Sequence, residues 1–104
     1  MLQHLRAWND YGNRGYSIHY WRTPEGDEVD FVLYGERGIV AIEVKRSARV
    51  RPDDLRSLTR FRADYPQARA LLLHAGSRRW HESGIEIVPL TEALTDLDGT
   101  FAGR

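Results

Sequence analysis

The chain contains no cysteine. That excludes disulfides, a thiolate nucleophile and cysteine-ligated zinc, and it fits a reducing cytoplasm. No apolar run approaches the ~20 residues of a membrane-spanning helix, and no secretory leader is expected. Net charge is missing too, because 15 basic residues balance 15 acidic ones. The molecule as a whole therefore exerts no pull on nucleic acid. Catalytic motifs of the common kinds are also absent. His4, His19, His74 and His81 are scattered without HExxH spacing and read as surface or strand histidines. Gly35 and Gly38 lack the Lys-Ser/Thr of a phosphate loop, and Ser47 lacks a nucleophile elbow. No repeat or low-complexity segment interrupts the chain.

What is present suffices for one core. With 104 residues, 41% hydrophobic and 11% aromatic, the chain is expected to form a single domain over 1–104 rather than two domains or a disordered segment. Its charge is unevenly placed. Glu25, Asp27, Glu28, Asp30 and Glu36 lie together without a basic residue. Lys45, Arg46, Arg49, Arg51, Arg56, Arg60 and Arg62 follow against only Asp53 and Asp54. That pattern suits either a metal site beside a phosphate track or a solvated helix and loop face.

The elements follow from periodicity. Leu2, Leu5 and Trp8 at spacing three predict the last turns of an amphipathic helix, and Asn9–Gly15 a polar turn. Tyr16–Arg22 alternates as a strand, and Pro24-Glu25-Gly26-Asp27 turns the chain into a second strand beginning at Glu28. Tyr34-Gly35-Glu36-Arg37-Gly38 turns it again into Ile39–Lys45, completing an antiparallel meander. Pro52 suits a first helical position, with Asp53 and Asp54 at the positive end of the helix dipole. Leu55, Leu58, Phe61 and Tyr65 form one apolar stripe before Pro66. Ala70–Ala75 predicts a buried strand, parallel to the Lys45 strand because a helix intervenes. Ile85–Leu90 is expected as an edge strand, since Pro89 cannot donate to a ladder. Thr91 is expected to cap a brief helix Glu92–Leu97, with the tail after 98 frayed. The order is α-β-β-β-α-β-β around a mixed sheet.

Chemistry concentrates on the central hairpin. Side chains alternate along a strand, so Glu43 and Lys45 share one face opposite Val40, Ile42 and Val44. The same rule puts Glu28 and Asp30 opposite Val29, Phe31 and Leu33. Up to three carboxylates and an ammonium then converge at the edge of a core, where charge is costly unless paired or bound to a metal. A salt-bridge cluster and a metal site both satisfy that requirement. Trp8, Trp21 and Trp80 serve either as base-stacking platforms or as core and interface residues. Arg78-Arg79 beside Trp80 serves either as a nucleic-acid contact or, more simply, as an exposed loop.

Asp30, twelve residues, then Glu43-Val44-Lys45 resembles the D…(D/E)xK signature of the PD-(D/E)XK nuclease superfamily. The superfamily's α-β-β-β-α-β core matches the predicted order, implying an α/β, restriction-endonuclease-like fold with a mixed sheet and an extra edge strand. The longer string, YWRTPEGDEVDFVL through GIVAIEVKRS to RADYP, resembles a subgroup, the uncharacterised C-terminal domain of many prokaryotic AAA-type ATPases. The likeness covers residues 2–97. It implies a magnesium- or manganese-dependent deoxyribonuclease with catalytic residues Asp30, Glu43 and Lys45. Asp30, Glu43 and the Val44 carbonyl would hold the metal, with Glu28 as a supplementary ligand; hard cations take such oxygen donors. The metal would acidify the attacking water, and Lys45 would hold that water or stabilise charge on the scissile phosphate. Arg46, Arg49 and Arg51 would contact DNA phosphates.

Members often carry a metal-reaching glutamate on the first helix; here His4 stands in that place, a ligand without the charge magnesium prefers. The first helix is expected to be truncated, and the chain to be either a piece of a larger ATPase or a standalone copy. The implied partners are DNA, a second copy of the chain and an AAA-type ATPase domain, with no membrane. The competing reading is a non-catalytic module on the same fold, for DNA binding or oligomerisation. A third is a structural domain that retains the acidic residues.

Overall fold

A computed structural model describes residues 2–12 and 15–101. Residues 13 and 14 of the expected Asn9–Gly15 turn, and 102–104 of the expected tail, lie outside the described residues. Helix α1 spans Leu2–Gly12. Strands β1 (Ser17–Arg22), β2 (Glu28–Gly35) and β3 (Gly38–Val44) follow. A 3-10 turn Pro52–Leu55 leads into α2, Arg56–Asp64. Then come β4 (Arg69–His74), β5 (Trp80–Glu82), β6 (Ile85–Pro89), α3 (Leu90–Thr95) and α4 (Leu97–Phe101). Through β4 this is the α-β-β-β-α-β order expected from periodicity.

One mixed sheet has the order β1-β2-β3-β4-β6-β5. The first three strands form the antiparallel meander, β3, β4 and β6 run parallel, and β5 returns antiparallel on β6. The hairpin turns are those the glycines dictate. Gly35 pairs with Gly38 around Glu36-Arg37, and Gly38 takes a φ of 129°, a backbone region unfavourable to side chains. Gly26, at φ 97°, closes the β1–β2 turn by donating to the Thr23 carbonyl.

The sheet is covered on both faces. Leu55, Leu58 and Phe61 pack one face against Val32, Ala41, Ala70, Leu72 and Ile87. Leu5 and Trp8 of α1, Ala93 of α3 and Phe101 of α4 pack the other against Leu33, Val40, Ile42, Leu71 and Val88. Buried on both sides, the parallel strands read as continuous apolar runs, which is why Leu71-Leu72-Leu73 shows no alternation.

Five expectations are corrected. Helix α1 runs on through Asn9 and Asp10 instead of turning there. The Ile85 strand is interior, because Trp80–Glu82 pairs outside it; Pro89 is tolerated at its last position. Thr91 lies inside α3 and does not cap it; Pro89 occupies the N-cap without a side-chain bond. Tyr65 leaves the buried stripe, remaining 39% exposed while its ring meets Phe61 at 4.8 Å. The tail is anchored through residue 101, since Phe101 is 1% exposed against Trp8 and the Trp8 indole N–H donates to Asp98 at 2.8 Å.

Candidate functional site

Strict alternation fails at one place on β2, and that place is Asp30. His19 of β1 pairs with Val32 but Trp21 pairs with Val29, so Asp30 and Phe31 oppose Tyr20 alone. Such a bulge bends the strand and re-aims the extra side chain. Val29 thereby joins Val32 in the core on the α2 side, while Phe31 and Leu33 pack on the α1 side. The expected grouping of Val29 with Phe31 and Leu33 is corrected accordingly. Released from the regular pleat, Asp30 accepts a hydrogen bond at its Oδ2 from the Val44 backbone N–H at 2.8 Å. The carboxylate thus ties the start of β2 to the end of β3.

On β3 the alternation holds. Val40, Ile42 and Val44 pack towards α1, while Glu43 and Lys45 reach the α2 side. There a cleft of about 270 Å³ is lined by Asp30, Glu43, Val44, Lys45, Asp53, Asp54, Ser57 and Leu72. The structure therefore brings Asp30, Glu43, Val44 and Lys45 together. Glu28 is not brought in; it is half-exposed, 3.9 Å from Arg22, with its backbone N–H donating to Ser57 Oγ. Placing Glu28 beside Asp30 on one face overlooked the bulge between them and β1.

The cleft is electrostatically unbalanced. Lys45 is its cation, and Lys45 Nζ lies 3.0 Å from Asp54 Oδ1 with both side chains mostly covered. Asp54 also accepts the Arg51 backbone N–H at 2.7 Å, closing the first turn of the 3-10 segment. Partial burial works against the Asp54 carboxylate, but the Arg51 N–H and Lys45 outweigh it and hold its pKa below the usual range. Glu43 is left without such help. Burial beside Leu72, then the negative charges of Asp30 and Asp54, push its pKa up to about 7. A carboxyl so perturbed in a cleft makes this the candidate functional site on physical grounds.

Asp54, Asp53 and Ser57 were not anticipated as cleft residues. Their sequence signal was absorbed by helix initiation, where acidic and hydroxyl residues are expected in any case. Among the described residues, no three His, Asp or Glu side chains converge as a ready-made metal-holding group. The oxygen donors of the cleft are the Asp30 and Glu43 carboxylates of two strands, Asp53 and Asp54 of the 3-10 segment, Ser57 and the backbone at Val44.

Arg46, Arg49 and Arg51 are exposed on the segment leaving β3, and among the described residues none has a carboxylate within ion-pair distance. Arg46 lines a cavity. His4 is exposed on α1 and lines that cavity with Asp30, next to the cleft and not in it. The other singled-out residues serve structure. His74 is buried and bonded at both ring nitrogens, to the Arg78 carbonyl and the Gly76 N–H. Trp8 is core, Trp21 meets Phe61 edge-on, and Trp80 lies under Arg78. Arg78 and Arg79 lie in an exposed loop as expected, and Arg79 is ion-paired with Glu92. No described helix is long and apolar enough to cross a membrane.

A family described as "Domain of unknown function (DUF4143)" matches residues 1–93. No curated protein and no solved structure matches the chain.

Proposed function

The chain belongs to the DUF4143 family, and we propose that it is a metal-dependent, nuclease-like domain that hydrolyses DNA phosphodiester bonds. The observation that carries this reading is the cleft in which Asp30, Glu43, Val44 and Lys45 meet. The composition of the site and its resemblance to the D…(D/E)xK pattern support this reading. The restriction-endonuclease-like topology is part of the same proposal.

The donor set fits magnesium or manganese. Either ion is content with one or two carboxylates and fills its remaining positions with water and phosphate oxygen. Glu43, whose pKa is raised by burial and then by the negative charges of Asp30 and Asp54, supplies the motive for binding. Asp30, Glu43 and the Val44 carbonyl would hold the ion. When bound, it lowers the pKa of a water and offsets charge gathering on the phosphoryl group.

The chain's own residues do the rest. Asp30 keeps β2 and β3 locked through the Val44 N–H, so the two carboxylates stay on rigid strands. Lys45, anchored by Asp54, presents an ammonium to a phosphate or to its attacking water. Arg46, Arg49 and Arg51 offer exposed guanidinium groups for backbone phosphates.

The Lys45–Asp54 pair favours a second reading. An ammonium already engaged at 3.0 Å suits a nuclease-fold module that binds DNA or assembles with an AAA-type ATPase domain without cutting. A cleavage assay on branched, nicked and single-stranded DNA separates the two. The first reading expects magnesium-dependent cutting that falls about 100-fold or more in Lys45→Ala, the scale of losing one charge-stabilising group. Metal-independent DNA binding without cleavage, weakening steeply with salt, would support the second.

A further inference from the structure

A second cavity adjoins the cleft at the same end of the sheet. Its volume is about 480 Å³, within the range of small-ligand pockets. Asp30 and Val44 line both spaces, so the two meet at the bulged start of β2 and the end of β3. The character changes at that boundary. The cleft is acidic, whereas the second cavity has an apolar wall of Phe31, Leu90 and Leu94, with His4 and Arg46 beside it.

We infer that this cavity is the subsite for one unstacked nucleotide next to the scissile phosphate, so that the substrate is single-stranded, frayed or flapped DNA. The inference rests on the nuclease-like reading above and specifies its substrate. A nucleotide presents an apolar, stackable base and an anionic phosphate. The Phe31 ring and the two leucines match the first, and the exposed Arg46 guanidinium matches the second. A base held in a duplex is stacked and paired, and cannot enter a walled cavity without extrusion. Extrusion is costly for a duplex and nearly free for an unpaired strand. Because Asp30 belongs to both spaces, a base in the cavity carries its phosphate to the carboxylates. The cleft alone has no apolar surface of this kind to read strandedness.

The test uses Lys45→Ala protein, so that bound DNA is not cut, and a fluorescein-labelled oligodeoxynucleotide as single strand or blunt duplex. Anisotropy is expected to give at least about tenfold tighter binding of the single strand, the scale of one stacked base. Leu94→Gln is expected to remove about tenfold of that affinity, and Leu94→Met to retain it. Both are expected to bind magnesium like their parent by calorimetry. Equal affinity for both DNA forms, or an unchanged Leu94→Gln, would overturn the subsite while magnesium binding kept the nuclease-like reading standing. No magnesium binding in the parent would remove that reading, and the subsite with it.

Discussion

Glu43→Gln is expected to make the protein more stable at pH 8 while abolishing its response to magnesium. The Glu43 carboxyl has a folded pKa of about 7 against 4.5 for an unperturbed group, mainly through burial and then through Asp30 and Asp54. A raised carboxyl pKa means that folding favours the protonated form. The associated stability is fully present below pH 4.5 and is lost as pH rises through 7. The bare shift corresponds to about 3 kcal/mol, which partial solvent contact reduces to about 1–2. For a domain of this size that is roughly 5–10 °C in Tm. Wild type should therefore melt higher at pH 5.5 than at pH 8, relative to a flatter Glu43→Gln. Asp54 acts in the opposite sense, but its depressed pKa places that loss below 3.8, outside the window. Thermal melts of both proteins across this range, with and without about 10 mM magnesium, check the expectation. Parallel pH curves for the two would remove Glu43 as the perturbed group.

Arg69 carries the second large effect, in the fold itself. Its guanidinium forks onto Glu86 at 3.0 and 2.9 Å between neighbouring parallel strands. The same group donates to the carbonyls of Thr100 and Phe101 at 2.9 and 3.3 Å, so one side chain ties the sheet to α4. Arg69→Met leaves Glu86 mostly covered and without its cation, and frees the last turn of α4. The expected cost is about 2–4 kcal/mol, more than about 10 °C in Tm. Arg69→Met/Glu86→Leu should recover about half, because the stranded charge is gone but the two carbonyl bonds are not restored. Urea melts of the three proteins measure this. A double variant no better than the single one would assign the loss to the α4 latch alone.

These two sites differ in how far the sequence revealed them. Asp30, Glu43 and Lys45 were legible because a period-two strand, a glycine turn and an ExK end can be read locally. The bulge was not, since it depends on which residue of β1 is skipped by its partner. It is the bulge that frees Asp30 to bond Val44 and leaves Glu28 outside. Asp54 was legible only as a helix-starting acid; its partnership with Lys45 appears once the loop after β3 folds back. The α4 anchor was hidden for a similar reason. Phe101 has no periodic company near the chain end, and its partners Trp8 and Arg69 are remote in sequence. Strand β5 is only 3 residues long and starts in a polar stretch, so neither length nor alternation announced it.

Calorimetric titration with magnesium shows whether Asp30 and Glu43 form the proposed divalent-cation site. Wild type at pH 8 is expected to bind in the millimolar range, about tenfold more weakly at pH 6, where a carboxyl of pKa about 7 is mostly protonated. Asp30→Ala is expected to show no binding at either pH. Folded wild-type protein that binds neither magnesium nor manganese at pH 8, or an Asp30→Ala variant that binds as wild type does, would contradict the proposed site.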